Sequence, residues 1–149
     1  MSFDQSQKQI DISEAQEVHT EKVLEYIHNP RNLRIMENYD GKGEKTARIR
    51  KQMVTIMIYI KVRNDVIQDA SYFSDSLGGL IHAYGSALTE MIKGKTLRET
   101  LWIRPEEVSR ALDLPETGFG NWFKKTLIEA INEYNVYKSA PWKKPYQRG

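Results

Sequence analysis

A stretch of strict alternation, Met53–Val62, constrains the fold of this chain more than any other feature. Every second residue from Val54 to Val62 is valine or isoleucine, which is the period at which side chains recur on one face of a β-strand. The polar triplet Arg63-Asn64-Asp65 follows as a turn, and Val66–Phe73 returns as a second strand. The two strands therefore predict an antiparallel hairpin with one apolar face.

The residues that follow the hairpin predict several helices. Ser74-Asp75-Ser76 offers N-cap residues for a helix from about Leu77 to Ile92, and Gly94 suits its C-terminal end. Thr96 and Glu99 form a capping-box pattern. Further boundaries come from proline and from apolar spacing. They predict a short helix from Thr96 through Leu101, then Pro105–Leu112 and Phe119–Tyr137.

The region before the hairpin is expected to add one helix and one strand. Ser13 is a candidate N-cap for the helix, which should end at Asn29 because a residue before proline is pushed out of the α region. Asn38–Thr46 is expected to be a loop, and Thr46–Lys51 a third strand. The element order therefore predicts an α+β fold, with a small antiparallel sheet of about three strands.

Length and composition are typical of one globular domain. The 149 residues divide into a flexible N-terminal arm at 1–13, a domain at 14–137 and a basic aromatic tail at 138–149. Net charge is only +2, which does not by itself indicate a polyanionic partner. The N-terminal residues show no secretory signal, and no apolar run approaches the ~20 residues of a membrane span. We therefore expect a cytoplasmic protein.

Six short segments at defined spacings extend over residues 20 to 135. They are Val23-Leu24-Glu25-Tyr26, Asn29-Pro30-Arg31-Asn32, Ile67-Gln68-Asp69-Ala70, Lys93-Gly94-Lys95-Thr96, Leu114-Pro115 and Ala130-Ile131. In this order the chain resembles the U-type iron–sulphur cluster assembly scaffolds, IscU and the N-terminal domain of NifU. The resemblance implies a three-stranded antiparallel sheet with helices packed on one face.

The resemblance also implies a site that this chain has lost. In the family, three cysteines and an aspartate hold zinc or a nascent cluster through thiolate bonds. The chain contains no cysteine at all. The matching positions are Gln52 for the first cysteine, Val54 for the aspartate, Gly78 for the second cysteine, and ambiguously Asn121, Trp122 or Phe123 for the third. We therefore expect no cluster, no zinc and no other cofactor.

Other residues near the lost site leave an alternative open. A pair of His82 and Asp75 provides too few ligands for a tight zinc site. The emptied site can instead bind a small anion or carry out unrelated catalysis. The candidate residues for this role are Arg48, Arg50, Lys51, Asp75 and His82. No serine–histidine–acid spacing is visible, and Gly41–Thr46 lacks the spacing of a phosphate loop, so the sequence favours no class of enzyme.

Two segments are candidates for docking a partner. Leu114-Pro115 begins the loop that a specialised Hsp70 chaperone grips in IscU, but Glu116-Thr117-Gly118 follow in place of the family's second proline and lysine. The tail combines Trp142 with basic residues. It can dock an acidic protein surface, bind single-stranded nucleic acid, or pack Trp142 back on the domain. The low net charge disfavours nucleic acid.

These observations favour a cysteine-less paralogue of the cluster scaffold. We expect a protein-binding or accessory factor in iron–sulphur or metalloenzyme maturation, with a cysteine desulphurase, a scaffold or a client metalloenzyme as partner. The small-anion or catalytic site is the alternative. A third hypothesis is a structural subunit that assembles through an exposed Met57 and Tyr59 face and the tail. The sequence does not define the oligomeric state.

Overall fold

A four-stranded sheet forms the centre of the protein in a computed structural model that describes residues 9–13, 18–76 and 78–144. The strands are β1 (Ile10–Asp11), β2 (Gly41–Ile49), β3 (Gln52–Arg63) and β4 (Val66–Ser74), in the order β1-β2-β3-β4. The last three form an antiparallel meander, and β1 pairs in parallel with β2. The predicted sheet is therefore confirmed, with one short strand more than expected.

Five helices and one turn of 3-10 helix complete the described chain. They are α1 (Glu21–His28), α2 (Gly79–Ile92), α3 (Leu97–Leu101), α4 (Pro105–Arg110), α5 (Phe119–Ser139) and the 3-10 turn Pro141–Lys143. Helix α5 packs on β2 and β3, and α2 packs on β4. Helix α1 lies against α2, and α4 against α5. This arrangement confirms the α+β class with helices on one face of the sheet.

The alternating pattern that predicted the hairpin is also the pattern of burial. Ile56, Ile58 and Ile60 are completely buried under the helices. Asn64 and Asp65 both have positive φ, 53° and 58°, as the two central residues of a tight hairpin turn require. A register shift at Lys61/Val62 ends the strict alternation.

The expected loop Asn38–Thr46 is wrong, because β2 begins at Gly41. Two glycines two residues apart look like a loop in the sequence, but here they allow the α5 backbone to touch the strand. A Cβ on Gly41 would collide with the carbonyl oxygen of Ala130, and one on Gly43 with that of Thr126. The glycines therefore serve packing between strand and helix rather than a turn.

The expected start of the first helix is also wrong. Helix α1 begins at Glu21, and Thr20 is its N-cap, accepting a hydrogen bond from the Val23 amide at 3.1 Å. Ser13 instead follows β1, and residues 14–17 lie outside the described part of the chain. The predicted end at Asn29 is confirmed, since Asn29 is the C-cap. The capping box of Thr96 and Glu99 is confirmed as well.

Part of the segment expected as a flexible arm forms a strand. Ile10 and Asp11 pair with Ala47 and Arg48 of β2. The next residue, Ile12, is buried. Residues 1–8 lie outside the described chain. No helix of the described ranges is long and apolar enough to cross a membrane.

Tyr59 is buried, which contradicts the exposed Met57 and Tyr59 face expected for assembly. Only 4% of Tyr59 is accessible, and the ring of Tyr39 lies 5.4 Å from its own, centroid to centroid. The loop that leads into β2 therefore covers this part of the outer sheet face.

Candidate functional site

A cavity of about 140 Å³ lies at the end of the sheet where β2 turns into β3 and β4 leads into α2. Its lining residues come from four segments of the chain: Ile12, Ile49, Arg50, Gln52, Val54, Ser76, Gly78, Leu80, Ile81 and Phe119. Gln52, Val54 and Gly78 are three of the positions that the sequence matched to lost ligands. The fold therefore brings residues 26 apart in the chain onto one cavity.

The β2–β3 turn supplies the strand side of the cavity. Ile49 pairs with Gln52, so Arg50 and Lys51 alone make the turn. Arg50 has a φ of 54°, and its carbonyl accepts a hydrogen bond from the Ser13 hydroxyl at 3.3 Å. Gln52 and Val54 are two residues apart and therefore face the same side of β3.

A series of serine hydroxyls shapes the other side, where β4 leads into α2. The Ser74 hydroxyl donates to the Thr55 carbonyl at 3.0 Å and accepts from the Ser76 amide at 3.1 Å. The Ser76 hydroxyl accepts in turn from the Gly78 amide at 3.1 Å. Gly78 is the N-cap of α2 and begins the helix beside the cavity. The predicted start at Leu77 falls on a residue outside the described chain.

The three alternatives for the third ligand position occupy different environments. Trp122 and Phe123 are completely buried, in an aromatic cluster with Tyr84. Asn121 is half-buried. The residue of α5 that lines the cavity is Phe119, which sequence matching did not identify. The signal in the sequence that could have identified Phe119 is its place directly after Gly118. This glycine is the N-cap of α5 and has a φ of 107°.

The donor groups at the cavity do not fit zinc or an iron–sulphur cluster. The described lining of the cavity contains no carboxylate, imidazole or thiolate. Asp75 lies nearby, but its carboxylate accepts a hydrogen bond from the Thr55 amide at 3.0 Å. No group of three or more metal-ligating side chains occurs within residues 9–13, 18–76 and 78–144. Since thiolates bind these metals in the resembled family, the present residues lack the required chemistry.

The five residues proposed for anion binding are dispersed. Arg50 lines the cavity, and Arg48 and Lys51 are exposed beside it. His82 instead points to Tyr72, whose hydroxyl lies 3.1 Å from its Nδ1. The three basic residues of the β2–β3 turn region therefore share one location. Asp75 lies close by, in a shallow pocket with Gln52 and Ser76, and His82 is engaged elsewhere.

We expect His82 to contribute a pH dependence to the stability of the protein. Burial lowers the pKa of His82 below its ordinary value of 6.5. Below that pH the unfolded chain takes up a proton that the folded protein resists, so the free energy of unfolding falls until the lowered pKa is reached. We expect urea denaturation to show lower stability at about pH 5.5 than at about pH 7.5. The His82→Asn variant, which keeps an acceptor for Tyr72, should lose less stability between these two pH values. An unchanged pH dependence in this variant would contradict the assignment to His82.

The loop after Leu114 is organised by Glu116. Its carboxylate accepts hydrogen bonds from the Ser109 hydroxyl at 2.9 Å and from three backbone amides, one in the loop and two in the first turn of α5. These amides belong to Thr117, Gly120 and Asn121, at 3.1, 3.0 and 2.9 Å. Leu114 packs against the core, and Pro115 is exposed. Glu116 therefore caps α5 at the position where the resembled family has its second proline.

Removal of this carboxylate is expected to destabilise the protein. Glu116→Ala leaves the helix amides of Gly120 and Asn121 without this acceptor and should lower the free energy of unfolding by about 2 kcal/mol. Glu116→Gln is the matched control and should cost less, because its amide oxygen still accepts. Urea denaturation measures both. Equal stability of the alanine variant and the unchanged protein would show that the cap is unimportant.

Trp142 lies in the 3-10 turn and is 78% exposed. The expectation that it packs back on the domain is therefore wrong. Lys138 and Ser139 continue α5, so the first two residues of the tail are helical. Residues 145–149 lie outside the described chain.

Comparison with known proteins decides the family. The family model described as the NifU-like N-terminal domain matches residues 18–139. The chain belongs to this family. The solved N-terminal domain of a NifU-like protein from Brucella abortus has the same fold, with a TM-score of 0.54 and 13% identity. The match covers 78% of this chain and 94% of that one.

Several relatives of this NifU-like chain are named as iron–sulphur cluster assembly scaffold proteins IscU. That of Aquifex aeolicus is 32% identical over 78% of this chain and 75% of its own. That of Escherichia coli is 33% identical over 65% and 77%. IscU 1 of Archaeoglobus fulgidus is 36% identical over 64% of this chain, which spans only 60% of that relative. The resemblance inferred from the six segments is thus confirmed.

Proposed function

We propose that this NifU-like chain acts by binding other proteins of iron–sulphur or metalloenzyme maturation and does not carry a cluster. One observation carries the proposal. Gln52, Val54 and Gly78 lie together on an apolar cavity, and the whole chain has no cysteine. A protein with this fold and this donor set can present a scaffold-like surface but lacks the groups that hold iron and sulphide.

The segments shared with the scaffolds support the proposal because they hold the fold together. The Tyr72 amide of β4 donates to the Asn32 carbonyl, and the Arg34 amide donates to the Tyr72 carbonyl, both at 3.0 Å. The Ile67 amide donates to the Lys95 carbonyl at 2.9 Å, which attaches the connection after α2 to β4. These contacts do not involve the positions matched to the cluster ligands, so the fold does not depend on those positions.

The partners we propose are a cysteine desulphurase, a cluster scaffold or a client metalloenzyme, in the cytoplasm. Two exposed features are available for docking, Pro115 in the loop before α5 and Trp142 in the 3-10 turn. Exposed tryptophan is a common energetic centre of protein interfaces. Neither residue supports the core, so both can be changed without unfolding the domain.

An anaerobic pull-down of the tagged protein from its native lysate, identified by mass spectrometry, tests the proposal. We expect recovery of one of the named partner classes and a reduced yield with Trp142→Ala or Pro115→Ala. Arg63→Ala, an exposed change at the β3–β4 turn, is the control and should leave the yield unchanged. Absence of any such partner would contradict the docking role.

Reconstitution with iron and sulphide tests the second half of the proposal. The purified protein should retain neither after treatment with a chelator. Stoichiometric, chelator-resistant iron and sulphide would overturn the conclusion drawn from the donor set. The Escherichia coli relative named as a scaffold serves as the positive control.

The alternative, a small-anion or catalytic site, has one observation in its favour, the presence of Arg50 on the cavity. A panel of inorganic anions, read by melting temperature, tests it. A rise that Arg50→Ala abolishes would support this alternative over the docking role. The apolar lining opposes it for small, strongly hydrated ions, because such ions are costly to transfer into apolar surroundings.

A further inference from the structure

The cavity that holds the lost-ligand positions has a mainly apolar lining. Six of its described lining residues are aliphatic or aromatic: Ile12, Ile49, Val54, Leu80, Ile81 and Phe119. All of these except Ile49 are buried in the core. The volume of about 140 Å³ is close to that of an engineered apolar cavity of about 150 Å³ that takes up benzene. An apolar body of about six carbons therefore fits.

The charges around this cavity almost cancel. Among the described residues, Arg48, Arg50 and Lys51 supply three cations, and Asp11 and Asp75 supply two carboxylates. Asp11 is the register partner of Arg48, Arg50 already has a partner within the protein, and Asp75 lies in the shallow pocket beside the cavity. The surplus of one cation is open to solvent at Lys51. It does not replace the water that an ion of either sign would lose in an apolar cavity.

The uncharged polar side chains of the described lining do not require a ligand either. The Ser76 hydroxyl accepts a hydrogen bond from the Gly78 amide at 3.1 Å. Gln52 is exposed, so solvent can satisfy its amide group. We propose that the cavity binds a small uncharged apolar molecule, a ring or a branched chain of about six or seven carbons.

Binding of such a molecule is favourable because the walls of the cavity are fixed before it arrives. The Ile12 amide donates to the Arg48 carbonyl at 2.9 Å, which holds Ile12 on the sheet. The ring of Phe119 stacks on that of Tyr84 in the core, with 5.4 Å between the centroids. Walls held in this way do not collapse, so their atoms lack contacts that an apolar body supplies. This site goes beyond the docking role, because it requires no protein partner.

Binding is tested with toluene on the full chain, by amide chemical shifts. We expect saturable shifts of the signals of Val54, Gly78 and Ile81, which line the cavity. Benzoate and benzylammonium keep the ring and add one negative or one positive charge. Both should bind about tenfold more weakly than toluene or worse, because the charged group loses its hydration.

Several outcomes of this comparison would overturn the proposal. Tighter binding of benzoate than of toluene would show that the cavity selects anions. Equal affinity for all three compounds would show that its apolar, uncharged character does not decide the ligand. Absence of toluene binding, or shifts confined to another surface, would also contradict the site.

Two variants at Gly78 narrow the cavity in steps. Gly78 has φ −60° and ψ 136°, which alanine and valine adopt readily. An added Cβ would lie 3.5 Å from the Ser76 hydroxyl oxygen and 3.6 Å from Cδ1 of Ile81, and both residues line the cavity. We expect Gly78→Ala to weaken toluene binding and Gly78→Val to abolish it, with the fold of each variant checked by its melting temperature.

Gln68→Val is the matched control, because it adds the same side chain at an exposed position of β4. It should bind toluene as the unchanged protein does. If folded Gly78→Ala and Gly78→Val variants both kept the full affinity for toluene, the assignment to this cavity would be wrong. None of these results bears on the pull-down, which tests the docking role by itself.

Discussion

Gly43→Ala is expected to lower the free energy of unfolding by about 3 kcal/mol or more. The added Cβ would collide with the Thr126 carbonyl oxygen of α5 and come within 2.9 Å of the Ala130 amide. These are backbone atoms inside a helix, so no side chain can rotate away to relieve the overlap. Helix α5 must move off β2, which opens the core between them. Urea denaturation followed by tryptophan fluorescence measures the loss.

Gly78→Ala is the control for this prediction. Its φ and ψ suit alanine, and the added Cβ makes only ordinary contacts. We expect the free energy of unfolding to change by less than about 1 kcal/mol, because alanine restricts the unfolded chain but is a poorer N-cap than glycine. If Gly43→Ala were as stable as Gly78→Ala, the close contact of β2 with α5 would be wrong.

Trp122→Cys is the second change with a large expected effect. Trp122 is completely buried, and its indole Nε1 donates to the Lys45 carbonyl at 3.1 Å. Truncation removes most of a large aromatic ring and leaves that carbonyl without its donor. We expect a loss of about 3–5 kcal/mol in the free energy of unfolding. This effect would show that Trp122 supports the core. A cluster ligand at this position would therefore require the surrounding core to rearrange.

Asn121→Cys separates the alternatives for the third ligand position. Asn121 is half-buried, and the contact that anchors it here is made by its backbone amide, which donates to Glu116. A cysteine keeps that amide, so the variant should stay within about 0.5 kcal/mol of the unchanged protein. Similar losses for Asn121→Cys and Trp122→Cys would contradict the burial described for the two residues.

Much of the fold could be predicted because it depends on local periodicity. The alternation in β3, the turn at Asn64 and Asp65 and the capping box of Thr96 each involve residues close in the chain, and all three are confirmed. The errors arose where distant residues decide. Gly41 and Gly43 looked like a loop because α5, which they touch, lies more than 80 residues away.

The candidate site shows the same division. The sequence matched Gln52, Val54 and Gly78 to lost ligands, and the fold places all three on one cavity. The sequence could not select among Asn121, Trp122 and Phe123. Consecutive residues of a helix point in directions about 100° apart, so an uncertainty of one residue in the match decides whether the side chain is buried or partly exposed. Phe119 lines the cavity because α5 begins at this residue and starts beside the end of the sheet, a position that only the packing of the helix on the strands decides.

The sequence by itself determined the family, the α+β class and the loss of every thiolate, since these depend on residue identity and short-range pattern. Only the tertiary structure decided that the emptied positions enclose an apolar cavity beside Arg50 and that Glu116 caps α5. Both depend on side chains that are brought together from separate segments. Their contact is a property of packing, which no local pattern encodes.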